Sequence, residues 1–228
     1  MEPDYAQYME VEPQSHTRAR IEKVLEPSLV DEVAVFFDEM ERWGSDQDAE
    51  SYLTDVRAVY AHERRVNPDG PAELTRSFAT GLHKLSAYKD EYEVARLALD
   101  PGFAEAQGDA QVTVQFQPPL LRALGLNRKI GLGPRMRPVL GALAKAKRLR
   151  GTRLDVFGYA EVRKLERELV RTYRAEILRQ ARQLRTPEQV AQLAELAGAA
   201  DGVRGFEQKK IDSAKELLGK LARGGVKK

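Results

Sequence analysis

The sequence predicts a mainly α fold, a helical bundle with a minor β element, and two observations lead to that class. Apolar residues recur every three or four positions over long stretches, which is the pattern of helices that bury one face. Residues 111–119 instead alternate apolar and polar side chains, as a half-buried strand does. No internal repeat of fixed period interrupts this pattern, so a bundle of unequal helices is the simplest arrangement.

The order of elements begins with an N-terminal arm over residues 1–14, which we expect to be disordered or bound to a partner. Residues 15–228 are expected to form a single domain, because this length can bury one sizeable core. Ser28 is the predicted N-cap of a helix that ends at Gly44, and residues 47–64 form the next helix. The turn sequence "NPDGP" ends that second helix.

The central element is a predicted long helix over residues 71–99, with Pro71 as its first residue. Its apolar positions step by three and four along the chain. These positions are Leu74, Phe78, Leu82, Leu85, Tyr88, Tyr92, Ala95 and Leu99.

The C-terminal half starts with the predicted strand "QVTVQFQPP", for which the sequence identifies no partner. A loop over residues 120–138 follows, and then helices over residues 139–149 and 159–184. Thr186-Pro187-Glu188-Gln189 has the form of a capping box with proline at the first helical position. Residues 211–221 belong to the predicted terminal helix.

Composition limits the possible functions of the chain. No run approaches the roughly 20 apolar residues that cross a bilayer, so we expect no membrane span. The acidic N-terminus lacks the basic and apolar regions of a secretory signal, and cytoplasmic localisation is the expectation. Because the chain has no cysteine, it has no thiolate nucleophile and no thiolate ligand for an iron–sulfur cluster or zinc ion.

Charge is divided unevenly along the chain. Residues 1–70 hold 17 acids against 7 bases, whereas residues 71–228 hold 18 acids against 30 bases. The stretch between Asp109 and Asp155 contains no acid and ten bases, which favours an acidic partner. These bases are Arg122, Arg128, Lys129, Arg135, Arg137, Lys145, Lys147, Arg148, Arg150 and Arg153.

Motifs for chemistry are few, and we predict no catalytic, cofactor-binding or metal-binding residue in this chain. The three histidines match no metal-binding spacing. Arg128, Lys129 and Arg135 lie in "GLNRKIGLGPR", where they could bind an anion, although the glycine spacing matches no nucleotide-binding loop. Nucleic-acid binding through residues 122–153 is disfavoured, because residues 117–156 lack aromatic side chains for base stacking.

The stretch "SAYKDEYEVARLALDPGF", residues 86–103, concentrates polar and aromatic side chains. Helical spacing predicts surface ion pairs among Lys89, Glu93 and Arg96. Tyr88 and Tyr92 would share one face and bury their rings, with their hydroxyls bonded to polar neighbours. The pattern predicts a buried polar network and does not require catalysis.

Four segments in this order resemble the C-terminal domain of indolepyruvate:ferredoxin oxidoreductase-like proteins, a 2-oxoacid:acceptor oxidoreductase family. They are "HKLSAYKDEYEVARL" (83–97), "FQPPLL" (116–121), "LRGTRLDVFGY" (149–159) and "RGF" (204–206), and the similarity extends over about residues 75–206. The family commonly follows the last segment with glycine and histidine, whereas this chain has Glu207-Gln208-Lys209-Lys210.

The resemblance implies a part of an enzyme that oxidatively decarboxylates 2-oxoacids to acyl-CoA. Thiamine diphosphate, magnesium and iron–sulfur clusters are then implied in partner subunits, and the absence of cysteine agrees with clusters held elsewhere. The motif positions that it marks as interface or packing candidates are Tyr88, Lys89, Asp90, Glu91, Tyr92, Arg96, Arg150, Asp155, Phe157, Tyr159 and Arg204.

The functional expectation is an auxiliary or structural subunit or domain that binds the catalytic subunits of such an oxidoreductase. The alternative is a polyanion-binding module, for coenzyme A or nucleic acid, that acts through residues 122–153. A third reading makes the chain itself catalytic, which would require convergent Tyr, Lys, Asp and Glu side chains in a pocket and an external cofactor.

Overall fold

The computed structural model describes residues 12–100, 114–116, 130–132, 137–205 and 207–224. Contacts divide the chain into two compact units. We call the described residues of Pro13–Ala87 and Lys164–Lys228 the core unit, and those of Tyr88–Arg163 the motif unit. The predicted arm over residues 1–14 falls almost entirely outside the described residues. The single domain expected over residues 15–228 stays a prediction.

The mainly α class is confirmed by the order of elements. In the described ranges, the α-helices are α1 Ser15–Ile21, α2 Pro27–Trp43, α3 Asp46–Val66, α4 Glu73–Ser86, α5 Glu91–Leu97, α6 Arg137–Lys145, α7 Glu161–Ala181, α8 Pro187–Gly198 and α9 Glu207–Arg223. Short 3₁₀ helices at Ala146–Leu149 and Ala199–Gly202 follow α6 and α8. In the described residues, no helix is long and apolar enough to cross a bilayer.

The hydrophobic core of the core unit is formed by the predicted apolar faces. Leu74, Phe78 and Leu82 of α4 are buried, as are Leu169, Tyr173 and Ile177 of α7. The rings of Phe78 and Tyr173 stack with their centroids 5.7 Å apart. The Tyr173 hydroxyl donates a hydrogen bond to the carbonyl of Ala197 at 3.0 Å, so its polar end is satisfied inside the core.

Two helix starts depend on local caps. Ser45 accepts a hydrogen bond from the Asp48 amide at the start of α3. Thr186 accepts one from the Gln189 amide at the start of α8, which confirms the predicted cap. The prediction that Ser28 caps α2 is wrong, because Pro27 is already helical and follows the extended Glu26. Proline suits the first helical position, since its fixed φ is helical and it has no amide hydrogen to satisfy.

The predicted start of α4 at Pro71 is also wrong, because the helix begins at Glu73. The carboxylate of the fully buried Glu63, on α3, accepts hydrogen bonds from the amides of Leu74 at 3.0 Å and Thr75 at 2.9 Å. These amides would otherwise have no intrahelical partner. A side chain from another helix therefore caps α4 in place of a local one.

The continuous helix predicted over residues 71–99 is interrupted. α4 ends at Ser86, and Asp90 has an extended backbone before α5 begins at Glu91. The Asp90 carboxylate accepts a hydrogen bond from the Glu93 amide at 2.9 Å, which is the geometry of an N-cap. Tyr88 and Asp90 therefore lie at a helix boundary instead of on the last turns of one helix.

In the motif unit, Val114–Phe116 pairs antiparallel with Ile130–Leu132, with Gln115 opposite Gly131. The prediction of a loop over residues 120–138 was wrong at Ile130–Leu132, which pair with this strand, and at Arg137 and Pro138, which begin α6. Pairing of three residues a side does not amount to a sheet layer, and the minor β element of the fold class stays a prediction.

The helix predicted over residues 139–149 is an α-helix only to Lys145, after which the 3₁₀ helix Ala146–Leu149 continues it. Leu140 of α6 packs with Ala95 of α5 in a small apolar cluster.

Candidate functional site

The centre of the motif unit is an ion pair between Asp90 and Arg150. The Arg150 Nε donates to one Asp90 oxygen at 2.6 Å and Nη2 donates to the other at 2.9 Å. The two side chains are 3% and 9% exposed, so water screens the pair weakly. A bidentate geometry of this kind is among the stronger charge-assisted contacts in proteins. The pair joins the middle of the 83–97 segment to the start of the 149–159 segment.

A second link joins the same two segments. The hydroxyl of the buried Tyr92 donates a hydrogen bond to Asp155 Oδ1 at 3.0 Å. Burial, and then the hydrogen bond to Asp155, raise the pKa of the Tyr92 hydroxyl well above its usual value. The phenol therefore stays protonated and acts as a hydrogen-bond donor.

Asp155 also determines the shape of the loop that contains it. Its Oδ2 accepts a hydrogen bond from the Gly151 amide at 2.8 Å, and its Oδ1 accepts one from the Gly158 amide at 3.0 Å. Gly151 has a φ of 75°, in the left-handed region that residues with a Cβ rarely adopt. The buried carboxylate thus binds both ends of the turn that surrounds it.

Aromatic rings enclose this network. The Phe157 ring meets the Tyr92 ring edge to face, with centroids 5.1 Å apart. The guanidinium carbon of Arg150 lies 5.7 Å from the Tyr92 centroid, within cation–π range. These contacts hold the ion pair in an apolar surrounding.

A neighbouring cluster is built around Arg163, at the start of α7. Its guanidinium lies over the Tyr88 ring at 5.4 Å, and Nη2 is 3.4 Å from both the Lys89 carbonyl oxygen and Glu91 Oε2. Burial raises the pKa of the Glu91 carboxyl, and the charge of Arg163 opposes that rise. Arg163 therefore contacts three residues of the 83–97 segment.

The predicted surface ion pairs are partly corrected. Arg96 does pair with Glu93, with Nη2 2.6 Å from Oε1, but Glu93 is buried. Lys89 precedes α5, so it lacks the helical spacing to Glu93 that the prediction assumed.

The loop between the 3₁₀ helix and α7 has a further internal bond. The Tyr159 hydroxyl donates to the Arg153 carbonyl at 2.8 Å while its ring stays 60% exposed. Leu154 and Val156, on either side of the buried Asp155, are 69% and 57% exposed.

The structure places most predicted site residues in one unit. Tyr88, Lys89, Asp90, Glu91, Tyr92, Arg96, Arg150, Asp155, Phe157 and Tyr159 lie in the motif unit. Arg204 lies in the core unit, where it forms an ion pair with Asp201. Arg128, Lys129 and Arg135 lie outside the described residues.

Sequence reasoning missed the role of Arg163 and of the Gly151 and Gly158 amides. Arg163 lies near the start of the helix predicted over residues 159–184, and periodicity alone does not distinguish a solvent-facing base from one that contacts another segment. The glycines did carry a signal, since "RGTRLDVFGY" has a glycine four residues before and three residues after its aspartate.

This arrangement stabilises one conformation of the chain. We call the two buried links, Asp90 with Arg150 and Tyr92 with Asp155, the lock. Both oxygens of Asp90 and of Asp155 accept hydrogen bonds from within the network. Buried polar groups that are satisfied in this way make a unique packing more rigid. In the part of the chain that the structure describes, no three His, Asp or Glu side chains gather as a metal site. Neither the residues present nor the cysteine-free sequence fits an iron–sulfur cluster.

Comparisons with curated proteins and with solved structures give no match to this chain. The model of a family of unknown function (DUF6537) matches residues 30–222, a range that includes both segments joined by the lock. The family description assigns no activity, so the resemblance to oxidoreductases stays a prediction. Because the match covers most of the 228 residues, the chain belongs to this family of unknown function, DUF6537.

Proposed function

We propose that the chain is an auxiliary, structural component of a thiamine diphosphate-dependent 2-oxoacid:ferredoxin oxidoreductase, of the indolepyruvate type, and that it binds the catalytic subunits. In this proposal the partners hold thiamine diphosphate, magnesium and the iron–sulfur clusters. The chain supplies surface and shape, and it supplies no reacting group.

One observation carries the proposal: the two segments most specific to the resemblance are joined by a buried lock. Asp90 pairs with Arg150, and Tyr92 bonds Asp155, although 60 and 63 residues separate the partners. Motif residues that bond one another maintain a shape, whereas a catalytic set must direct groups toward a substrate. The lock therefore favours a scaffold over an active site.

Two further features agree with an assembly role. A chain without cysteine depends on partners for any cysteine-held cluster. Lys145, Arg148 and Arg153, in the acid-free stretch, are exposed. Such a cationic surface favours encounter with an acidic protein.

The test is affinity capture of the tagged full chain from its native cells, with assays of thiamine and iron in the captured material. We expect polypeptides that carry both to co-purify in a fixed ratio to the chain. Arg150→Met should reduce their recovery, because it breaks the lock. Glu216→Gln, which changes an exposed ion pair on α9, is the matched control and should leave recovery unchanged.

Recovery of the chain alone, or with partners that contain neither thiamine nor iron, would refute the proposal. The alternative, a polyanion-binding module, rests on the same exposed bases. It predicts binding to immobilised coenzyme A or to a single-stranded oligonucleotide, with an affinity that falls steeply as salt rises. Such binding without co-purifying subunits would favour that alternative.

A further inference from the structure

The loop over residues 151–160 exposes an unusual concentration of apolar surface. Four large apolar side chains are exposed within the described ranges, and three of them, Leu154, Val156 and Tyr159, belong to this loop. Single exposed apolar residues are ordinary on protein surfaces, whereas a local group of them marks an interaction site. The group lies beside the lock but takes no part in it.

The loop is ordered before any partner binds. Thr152 Oγ1 donates to the Leu149 carbonyl at 2.7 Å and accepts from the Leu154 amide at 3.2 Å. Asp155 holds both ends of the turn, and the Tyr159 hydroxyl holds its middle. A surface that is already ordered loses less entropy on association, which favours its use as a binding site.

The charges around the apolar group indicate the kind of partner. Arg153 in the loop and Arg148 shortly before it are exposed, whereas the acid of the loop, Asp155, is buried and bonded. Glu161, at the start of α7, is the exposed acid that follows the loop. An apolar centre with a cationic margin complements an acidic protein surface that has an apolar recess.

An anionic membrane has similar complementarity, but the loop offers too little apolar surface for it. A single myristoyl chain gives only marginal membrane binding, and Leu154, Val156 and the Tyr159 ring, each only partly exposed, offer a bilayer no more hydrocarbon than that chain. A protein recess can enclose these side chains and extend the contact toward the roughly 800 Å² per partner of a stable interface.

We propose that Leu154, Val156 and Tyr159 are the apolar anchor by which this chain docks on an acidic surface of a protein partner. The inference rests on the proposed function, in which that partner is a catalytic subunit. Asp155 acts as a positioning residue. Its carboxylate is buried and bonded to Tyr92, and its neighbours Leu154 and Val156, the two anchors, are exposed. The loop is then the part of the interface where side-chain truncation costs most.

The experiment measures the Kd between the full chain and the thiamine- and iron-containing polypeptides purified from the same cells. The double variant Leu154→Ser, Val156→Ser is expected to bind at least about tenfold more weakly, as loss of a central anchor does. Val139→Ser removes another exposed apolar side chain of the motif unit, on α6, and should bind within about twofold of the parent chain.

A charge variant keeps the test valid if the double variant distorts the loop. Arg153→Glu changes an exposed side chain and leaves the backbone carbonyl that Tyr159 bonds. It should weaken binding mainly through slower association, and the loss should diminish at high salt. Hydrogen exchange at the Gly151 and Gly158 amides reports whether each variant keeps the loop folded.

The outcomes separate the two proposals. Weak binding of both loop variants with parental binding of Val139→Ser supports the inference. Equal binding by all variants overturns the inference and leaves the proposed function standing. Absence of binding by the parent chain overturns both. The inference is also overturned, in favour of a membrane surface, by a combination of two results. The parent chain co-sediments with phosphatidylserine vesicles and the loop variants do not, while all of them bind the subunits equally well.

Discussion

Replacing Asp90 with alanine should destabilise the motif unit more than any surface substitution. The change removes the N-cap of α5, which is worth about 0.5–2 kcal/mol. It also leaves the Arg150 guanidinium, 9% exposed, without the carboxylate that it pairs with. Breaking a buried pair by removing one partner costs about 3–5 kcal/mol. We therefore expect a loss of at least about 3 kcal/mol in the free energy of unfolding of α5 and the loop.

Two further variants separate the causes. Asp90→Asn keeps an N-cap acceptor of equal quality but removes the charge, so it should lose the ion-pair part alone. The double variant Asp90→Asn, Arg150→Met removes both charges and should be more stable than Asp90→Asn alone. A positive coupling between the two positions is the specific sign of the pair.

Hydrogen exchange followed by mass spectrometry is the suitable assay, because it measures the amides of α5 separately from those of the core unit, whereas the single tryptophan, Trp43, gives one fluorescence signal for the chain. A loss of about 3–5 kcal/mol corresponds to a roughly 160- to 4,700-fold increase in exchange from opened states of α5. Amides of α3, in the core unit, serve as the internal control. Changes below about 1 kcal/mol in α5 for both Asp90→Ala and Asp90→Asn would refute the claim that the pair is buried and stabilising.

Three other substitutions test separate parts of the structure. Gly81→Ala would place a Cβ 2.9 Å from the Ala200 Cβ and should lower the thermal midpoint of the core unit by overpacking, at a cost of about 1–3 kcal/mol. Thr186→Ala should cost about 0.5–1 kcal/mol at the start of α8, the low end for a cap because the bond is 3.4 Å long. Glu91→Gln should remove a pH dependence of α5. Burial raises the pKa of the Glu91 carboxyl from 4.5, so its contribution is fully present below about pH 4.5 and is lost as pH rises through the folded-state pKa.

Each of these expectations has a contradicting result. Gly141→Ala, where a Cβ meets open space on α6, is the control for Gly81→Ala, and equal behaviour of the two would contradict close packing at position 81. Thr186→Asp should restore the cap, so equal loss in Thr186→Ala and Thr186→Asp would contradict its role. Hydrogen exchange of α5 measured from pH 4 to pH 7 checks the pH dependence attributed to Glu91. A Glu91→Gln variant with the same pH profile as the parent chain would contradict it.

Local patterns predicted the helices well where the competing structure was also local. The apolar period over residues 159–184 predicts a helix, and its apolar residues Leu169, Tyr173 and Ile177 are buried in the core. The Thr186 cap is determined by residues within one helical turn, so the sequence alone locates it. Ten of the eleven motif positions lie in the motif unit, and their role as interface or packing residues stays a prediction.

The errors occur where a residue distant in sequence decides the outcome. Periodicity alone extended α4 through Asp90, because helical spacing carries no information about Arg150, 60 residues later. Glu63 caps α4 from another helix, and the pairing of Gln115 with Gly131 joins two segments of different predicted type. Such contacts depend on how the chain packs, which no local window contains.

The sequence by itself therefore determined the helical class, the positions of most helices, the absence of cysteine chemistry and the acid-free basic stretch. The tertiary structure decided that the polar stretch at residues 86–103 contributes to a buried lock and that the adjacent loop exposes Leu154, Val156 and Tyr159. The physical reason is that hydrophobic periodicity is a local property of the chain. The pairing of a buried charge, by contrast, requires a partner that only the folded chain brings within hydrogen-bonding distance.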